Sequence, residues 1–577
     1  MSVFLHIHEL GGAPVASRLV SQAKDMLAEV GTVRLVAGPR SITAWVDLDL
    51  WPSASSLEQG NLLLIAAGDP LVTQGEAQPE RSASIRALLA ELPEDTGVLN
   101  RTQGSFCGLR VDHDAQGFCA FTDKLGVRPL YWARAGATLY VASAQWVLDR
   151  LDTIPSTPNW QAAAEVAALG YPLGDRTLNA AVHSLLGGHL LQADDRGLRV
   201  RAWWDWSRIT RSSLSPEALA SSVLARFDSA VKRRVGVQRK VFSFLSGGMD
   251  SRLIASRLMA TDVAVESLNF APPGSQDLEF GRQAADVLGT SHFEYLDSVS
   301  SFEDRKTAAI DAWKKAHSDP ETWPERPGLI WSGDGGSVGL GHVYLNTADV
   351  EEARRQGAKA AVESIATSNR LRLPKSSFRR ARGHLAKSAL EGMAQDLAER
   401  SGFEPGRNAH LFFMMNDQRR HLVSHYESIH KSRIDLVLPF FDGDFLESVI
   451  GADIDEFLEH RLYNRILLGL SDGCGAVPWQ AYPGHEPCPH PIPESLRRQW
   501  QDGWLDRSTR DADHLELCKS TLSLTTSKWF PGEAIRRAPV ALAAIAGLMG
   551  YRKYDYRMTL AQPFISAKRY DQHITAL

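Results

Sequence analysis

The chain is poor in the features that would place it outside a reducing, aqueous compartment. Its 577 residues include only five cysteines, Cys107, Cys119, Cys474, Cys488 and Cys518, odd in number and scattered. That pattern excludes a disulfide framework and leads us to expect reduced thiols in a cytoplasmic protein. No apolar run is long enough to cross a bilayer, since the longest, around Ala538 to Met549, is broken by Gly547, so no membrane span is expected. The opening residues, Met1-Ser2-Val3-Phe4-Leu5-His6, lack a basic segment ahead of an apolar one, and no signal peptide is expected. Charge of either sign is scarce in excess: 63 basic against 68 acidic residues leave a net −5, with no general pull toward nucleic acid or membrane. Repeats and low-complexity tracts are missing too. What remains, 44% hydrophobic and 23% charged residues, suits a globular protein with room for at least two cores.

The richest stretch is Val241 to Ala255. A β-favouring apolar run ends in Leu245-Ser246-Gly247-Gly248-Met249-Asp250-Ser251, after which apolar residues return at helical spacing. This order predicts strand, tight loop and helix. Backbone N–H groups at such a helix start attract anions, and glycines let a phosphate approach closely. Leu245, Ser246, Gly247, Gly248, Asp250 and Ser251 are therefore the candidate pyrophosphate-binding residues, with Asp250 placed to hold a bridging Mg²⁺. The loop has no Gly-Lys-Ser/Thr ending, which argues against a Walker-type kinase or GTPase. It resembles instead the loop of the ATP-pyrophosphatase class, whose members adenylate a carboxylate or carbonyl and release pyrophosphate.

The flanking chain makes the resemblance more specific. Gly104 to Leu109, then Phe121-Thr122-Asp123-Lys124-Leu125-Gly126-Val127-Arg128-Pro129-Leu130-Tyr131-Trp132, then Leu139 to Ser143, resemble the end of the glutaminase-type domain of class B asparagine synthetases. Motifs in this order point to the superfamily that also holds β-lactam synthetases and lasso-peptide cyclases. The resemblance implies an α/β protein: an Ntn-type domain over residues 1–206 and a doubly wound parallel-sheet domain with helical additions over 207–577. A linker at Thr210 to Glu217, with Ser215 as N-cap and Pro216 in the first turn, is the expected junction. Eight short β-favouring runs between Met1 and Ala142, with helices at Val15–Val30 and Ser82–Leu92, agree with antiparallel sheets covered by helices.

The chain departs from that family at Ser2. The family uses a cysteine exposed after Met1 as its glutaminase nucleophile, and a serine alkoxide is much harder to form. The segment that would hold glutamine is reduced to Ala67-Gly68-Asp69-Pro70-Leu71. Glutamine hydrolysis is expected to be lost.

A second glycine-rich loop, Ser332-Gly333-Asp334-Gly335-Gly336-Ser337, again follows an apolar run. By resemblance it faces the first loop across ATP, with Gly333 and Gly335 on the nucleotide, Asp334 as catalytic base and second metal ligand, and Ser337 where the family has a metal-binding aspartate. Asp277, Glu279 and His292 read as structural groups. The family's phosphate-binding lysine is missing, and Arg465 or the basic run Arg370, Arg372, Lys375, Arg379, Arg380 and Arg382 is the expected substitute. His485, Cys488 and His490 suggest zinc weakly and a proline-rich loop more strongly. Asp442 is either near an acceptor pocket or a helix cap.

The expected function is an ATP- and Mg²⁺-dependent ligase that joins a small-molecule, peptide or glycan-linked carboxylate to ammonia or a substrate amine. Two alternatives stand beside it: an intramolecular cyclase, and a non-catalytic nucleotide-binding scaffold. No nucleic-acid partner is expected; a homodimer or a pathway protein is the candidate assembly.

Overall fold

A computed structural model describes residues 2–73, 78–114, 117–194, 197–296, 302–317, 328–367, 373, 375–499, 507–527, 530–562 and 564–565. Arg370 and Arg372 lie outside the described residues.

Two six-stranded antiparallel sheets occupy the N-terminal part. The first runs β12 (Val182–Ser184), β10 (Tyr131–Ala135), β11 (Thr138–Ala142), β1 (Ser2–Glu9), β3 (Ser41–Asp47), β2 (Arg34–Ala37). The second runs β14 (Gly197–Ala202), β13 (His189–Asp194), β9 (Gly117–Thr122), β8 (Phe106–Asp112), β5 (Leu62–Gly68), β4 (Ser56–Gln59), and a small pair, β6 (Leu71–Val72) and β7 (Thr102–Gln103), stands beside it. Helix Ser17–Ala28 packs on β3 and helix Arg81–Glu91 on β5, while β1 meets β5 across the sheets. Strand β1 is therefore buried on both faces from Ser2 to His8. The sequence runs point to most of these strands, but β12 to β14 extend both sheets without such a signal. Their alternation is weak because β12 has three residues and the end of β14, Val200, Arg201 and Ala202, is exposed on consecutive positions.

The C-terminal part is organised on a five-stranded parallel sheet, β17 (Ser291–Glu294), β16 (Ala264–Asn269), β15 (Lys240–Phe244), β18 (Leu329–Trp331), β19 (Asp435–Val437). The expected mixed α/β class holds, antiparallel first and parallel second. Strand order reverses between β15 and β18, and the crevice at such a switch point is where open α/β sheets bind ligands. Helix Phe302–Ala316 lies over the sheet, with Trp313 stacked on Phe242 at 3.5 Å between ring centroids. Ser215 caps helix Pro216–Val235, accepting from Ala218 N–H, with proline at its start. Asp442 caps helix Gly443–Ile450 and also pairs with Arg233 and Arg234. Arg380–Lys387 is a 3₁₀ segment ahead of the helix at Ser388–Glu399; only Leu385 and Ala386 of it are buried, so little packing favours the α form.

Buried charge ties the two parts together. Arg128, from the turn between β9 and β10, meets Asp435 of β19 at 2.5 Å, and both side chains are almost wholly inaccessible. Trp51 Nε1 donates to the other carboxylate oxygen at 2.7 Å. Arg234 bridges Asp69 and Asp442, and Arg419 donates to Ser184 Oγ at 2.6 Å. Removing one member of a buried pair leaves the other charge uncompensated, which typically costs about 3–5 kcal/mol. Arg128→Met is accordingly expected to lower the urea midpoint sharply, whereas Arg380→Met, on the surface, leaves it in place.

Candidate active site

The two glycine-rich loops converge above the β15–β18 switch point on a cavity of about 620 Å³. Strand β15 ends at Phe244, the loop follows, and helix Asp250–Met259 starts directly beyond it. Within the loop Ser251 Oγ accepts from Ser246 N–H at 2.9 Å and Ser246 Oγ from Gly248 N–H at 3.2 Å. Leu245, Ser246, Gly248, Asp250 and Ser251 line the cavity, as do Gly333, Asp334 and Gly335. Gly247 stands behind it: its carbonyl accepts from Gln480 N–H at 3.0 Å, and a Cβ there would lie 2.4 Å from the Gln276 carbonyl.

Asp250 is the centre of the site. Tyr463 donates to its Oδ1 at 2.7 Å and Ser337 to its Oδ2 at 2.6 Å. Ser337 Oγ also lies 3.3 Å from the Tyr482 hydroxyl. Burial pushes the Asp250 carboxyl up to about 6, with nearby Asp334 adding repulsion and the two hydroxyls opposing it. A Cβ on Gly336 would fall 2.4 Å from Asp250 Oδ1 and one on Gly333 2.8 Å from Asp250 Cβ, so glycine alone admits this approach. Two half-buried carboxylates on the two loops that line one cavity and repel each other electrostatically form a donor set suited to Mg²⁺ with a polyphosphate. Asp250 and Asp334 are the residues that would hold the metal.

Asp334 has its own partners. Its Oδ2 accepts from Ser332 at 2.5 Å, and its Oδ1 faces His421 Nε2 at 3.3 Å. Burial works against the charge, but the His421 hydrogen bond, the Lys306 charge and Ser332 outweigh it and hold the carboxyl well below its usual range. The His421 imidazole is raised in turn, chiefly by the Asp334 hydrogen bond. A π-helical turn, Met414–Gln418, followed by Arg419–His421, carries this segment. It points Gln418 and His421 to the cavity and Arg419 into the N-terminal part; such turns frequently mark functional positions.

Lys306, Tyr463, Tyr482, His421 and His460 all line the cavity, and sequence reasoning assigns none of them a role. The available signal is thin: a lysine in an ordinary amphipathic helix, and aromatics in segments quoted for other residues. Arg465 does not replace a phosphate-binding lysine, because it lies outside the cavity lining, 3.8 Å from Glu456 and 4.0 Å from Glu217. Nor do Lys375, Arg379, Arg380 and Arg382 line it. Lys306, over the Phe244 ring at 5.7 Å, is the only lysine or arginine among the described residues of the lining. Asp277 lines the cavity and is pushed up to about 6 by burial, whereas Glu279 pairs with Arg282 at the surface. His292 bonds Ser267 Oγ at 2.7 Å. In the proline-rich loop Cys488 Sγ accepts from Trp479 N–H at 3.4 Å and His490 Nε2 bonds the Gly475 carbonyl at 2.6 Å. Among the described residues no His, Cys, Asp and Glu group is arranged for a metal on its own, and no helix is long and apolar enough to cross a membrane.

In the N-terminal part Ser2 is fully buried and its Oγ has no hydrogen-bond partner among the described residues. The neighbouring 67–71 segment is packed with arginine. Arg81 Nε donates to the Gly68 carbonyl at 2.8 Å, and a Cβ on Gly68 would lie 2.6 Å from Arg128 Nε.

Residues 222–325 match the asparagine synthase family and residues 83–204 the glutamine amidotransferase domain family. The first match includes the Asp250 loop and Lys306 but ends before the Asp334 loop. Among curated proteins, a nodule glutamine-hydrolyzing asparagine synthetase of Pisum sativum is 27% identical over 50% of this chain and 49% of its own length. A glutamine-hydrolyzing asparagine synthetase 2 of Arabidopsis thaliana is 24% identical over 38% of this chain and 35% of its own. The chain thus spans about half the length, or less, of these relatives. A solved structure of the allosteric regulatory enzyme of purine biosynthesis gives a TM-score of 0.23 at 12% identity, covering 52% of this chain and 81% of that one.

Proposed function

We propose that this chain, whose two matched segments are similar to the glutamine amidotransferase and asparagine synthase families, is an ATP-dependent amide-bond-forming ligase of the class B asparagine synthetase type. A carboxylate oxygen of the substrate attacks the α-phosphorus of ATP and pyrophosphate leaves. An amine then attacks the acyl carbon, AMP leaves, and one proton is removed from the nitrogen. The observation that carries this reading is the meeting of the two glycine-rich loops around Asp250, opposite a polarised Asp334–His421 pair. Residues 207–577 would contain this chemistry and residues 1–206 support it.

Each residue has a stated task. Ser246, Gly248, Ser251 and the backbone amides of both loops bind phosphate oxygens. Asp250 and Asp334 would hold Mg²⁺, which would supply neutralisation of phosphate charge. His421, kept basic by Asp334, accepts the proton from the attacking amine, and Gln418 and Tyr344 border the same region. Asp334 itself, held well below the usual carboxylate range, orients and polarises His421 rather than taking the proton alone.

The nitrogen source is ammonia or an amine carried by the substrate, without glutamine hydrolysis. The buried, unactivated Ser2 and the arginines packed on Gly68 support that reading. An intramolecular cyclisation is favoured by the same observation. Incubation with Mg-ATP, ammonium and a panel of carboxylic acids should give acid-dependent AMP and pyrophosphate; no AMP with any acid or amine-bearing acid would defeat the proposal. Glutamine in place of ammonium is expected to give neither glutamate nor product, measured by amino-acid analysis.

A further inference from the structure

One wall of the cavity is built on a strained turn. Glu459 (φ 50°, ψ 27°) and His460 (φ 64°, ψ 19°) are consecutive non-glycine residues in left-handed backbone, a region that L side chains rarely adopt and that persists only where neighbours over-determine it. Here the neighbours are clear. The Glu459 carboxylate accepts from Thr347 N–H at 2.6 Å and Thr347 Oγ1 at 2.9 Å and pairs with Arg461. Its carbonyl accepts from Glu486 N–H at 3.0 Å.

The consequence of this clamping is the position of His460. Its side chain is almost fully buried yet belongs to the cavity lining. The ring stacks on His485 at 4.2 Å and meets Tyr482 edge-on at 5.6 Å. Tyr482 and Tyr463 are the aromatics whose hydroxyls reach Ser337 and Asp250, so His460 lines the cavity beside the hydroxyls that hold the metal-binding carboxylate. Burial, with His485 adding repulsion, lowers its pKa to about 3 and keeps the imidazole neutral. Nδ1 is enclosed without a hydrogen-bond partner, and Nε2 has none either among the described residues. An unpaired buried N–H is rarer than an unpaired lone pair, so the single proton belongs on Nε2. That edge of the ring runs beside Gly341, where a Cβ would lie 3.0 Å from Nε2; glycine keeps it clear.

We propose that His460 donates from Nε2 to a phosphate oxygen of the nucleotide held between the two loops, a neutral donor supplementing Lys306. The inference rests on the Mg-ATP reading of the cavity. It makes His460 a binding residue whose strained backbone is retained because it aims the ring.

The test measures affinity by titration calorimetry with Mg-pyrophosphate, Mg-ATP and adenosine. His460→Leu and His460→Gln meet the same left-handed backbone, and only glutamine offers an N–H at the reach of Nε2. The leucine variant is expected to bind Mg-pyrophosphate about tenfold more weakly with adenosine unchanged, and the glutamine variant to stay within about threefold of the wild type. His460→Gly relaxes the backbone and removes the donor, so it repeats the leucine loss even where leucine impairs folding. Equal affinity of the wild type with the leucine and glycine variants, or no difference between leucine and glutamine, overturns the proposal while leaving the Mg-ATP reading intact. A wild-type protein that binds neither Mg-ATP nor Mg-pyrophosphate overturns both.

Discussion

Replacing Asp250 by alanine is expected to reduce AMP and pyrophosphate formation by at least about 10²–10³-fold, the loss typical of removing one group that stabilises charge in a closed site. The argument is geometric. Both carboxylate oxygens are held by short hydroxyl contacts from Tyr463 and Ser337, so the side chain has one orientation, and Gly333 and Gly336 are bare where a side chain would strike it. Asp250→Ala removes the charge that would hold the metal and leaves two hydroxyls facing an empty space. Asp250→Asn keeps the volume but only one acceptor oxygen, so one of the two hydroxyls must turn to accept from the new NH₂; it separates the loss of charge from the loss of packing. Both variants should fold, as judged by near-UV circular dichroism. Substrate-dependent AMP release from Asp250→Ala at the wild-type rate would remove Asp250 from the chemistry.

The second large effect concerns the Asp334–His421 pair. His421→Ala is expected to lower kcat by about 10²–10⁴-fold, the usual contribution of a general base. The sign of the pH dependence follows from the shift. His421 is raised above its ordinary 6.5, first by the Asp334 hydrogen bond, and only its neutral form accepts a proton. The rate should therefore rise with pH through a value above 6.5 and fall on the acid side of it. Asp334→Asn takes away the cause of the rise, leaving burial to lower the imidazole. Its acid limb should move to lower pH while the plateau rate drops, measured as kcat from pH 5 to 9. An acid limb that stays in place in Asp334→Asn would mean that another group supplies the proton acceptor.

Legibility from sequence differs sharply between the parts of this site. The run Val241 to Ala255 reads correctly as strand, loop and helix because each of its signals is local: apolar β-formers, paired glycines, then helical spacing. The 332–337 loop is found for the same reason. Residues that act through the tertiary fold have no such signal. His421 lies 87 positions after Asp334 in an otherwise ordinary helix, and only the π-helical turn at 414–418 rotates it into the cavity. Arg465 looks like a replacement cation in sequence, yet its helix turns it toward Glu456 and Glu217. Asp277 reads as a helix-start acid and proves to face the cavity as well.

The sequence by itself determined the mixed α/β class, the order of antiparallel and parallel parts and the two loops, because periodicity and glycine placement are properties of short windows. Tertiary structure alone decided which side chains share the cavity. It also decided that Arg128 and Asp435, 307 positions apart, form one buried pair, and that His460 is held in a left-handed turn. Contacts of that range depend on how sheets and helices stack, and the energy that selects them, burial and charge compensation across the whole chain, leaves no trace in any local stretch.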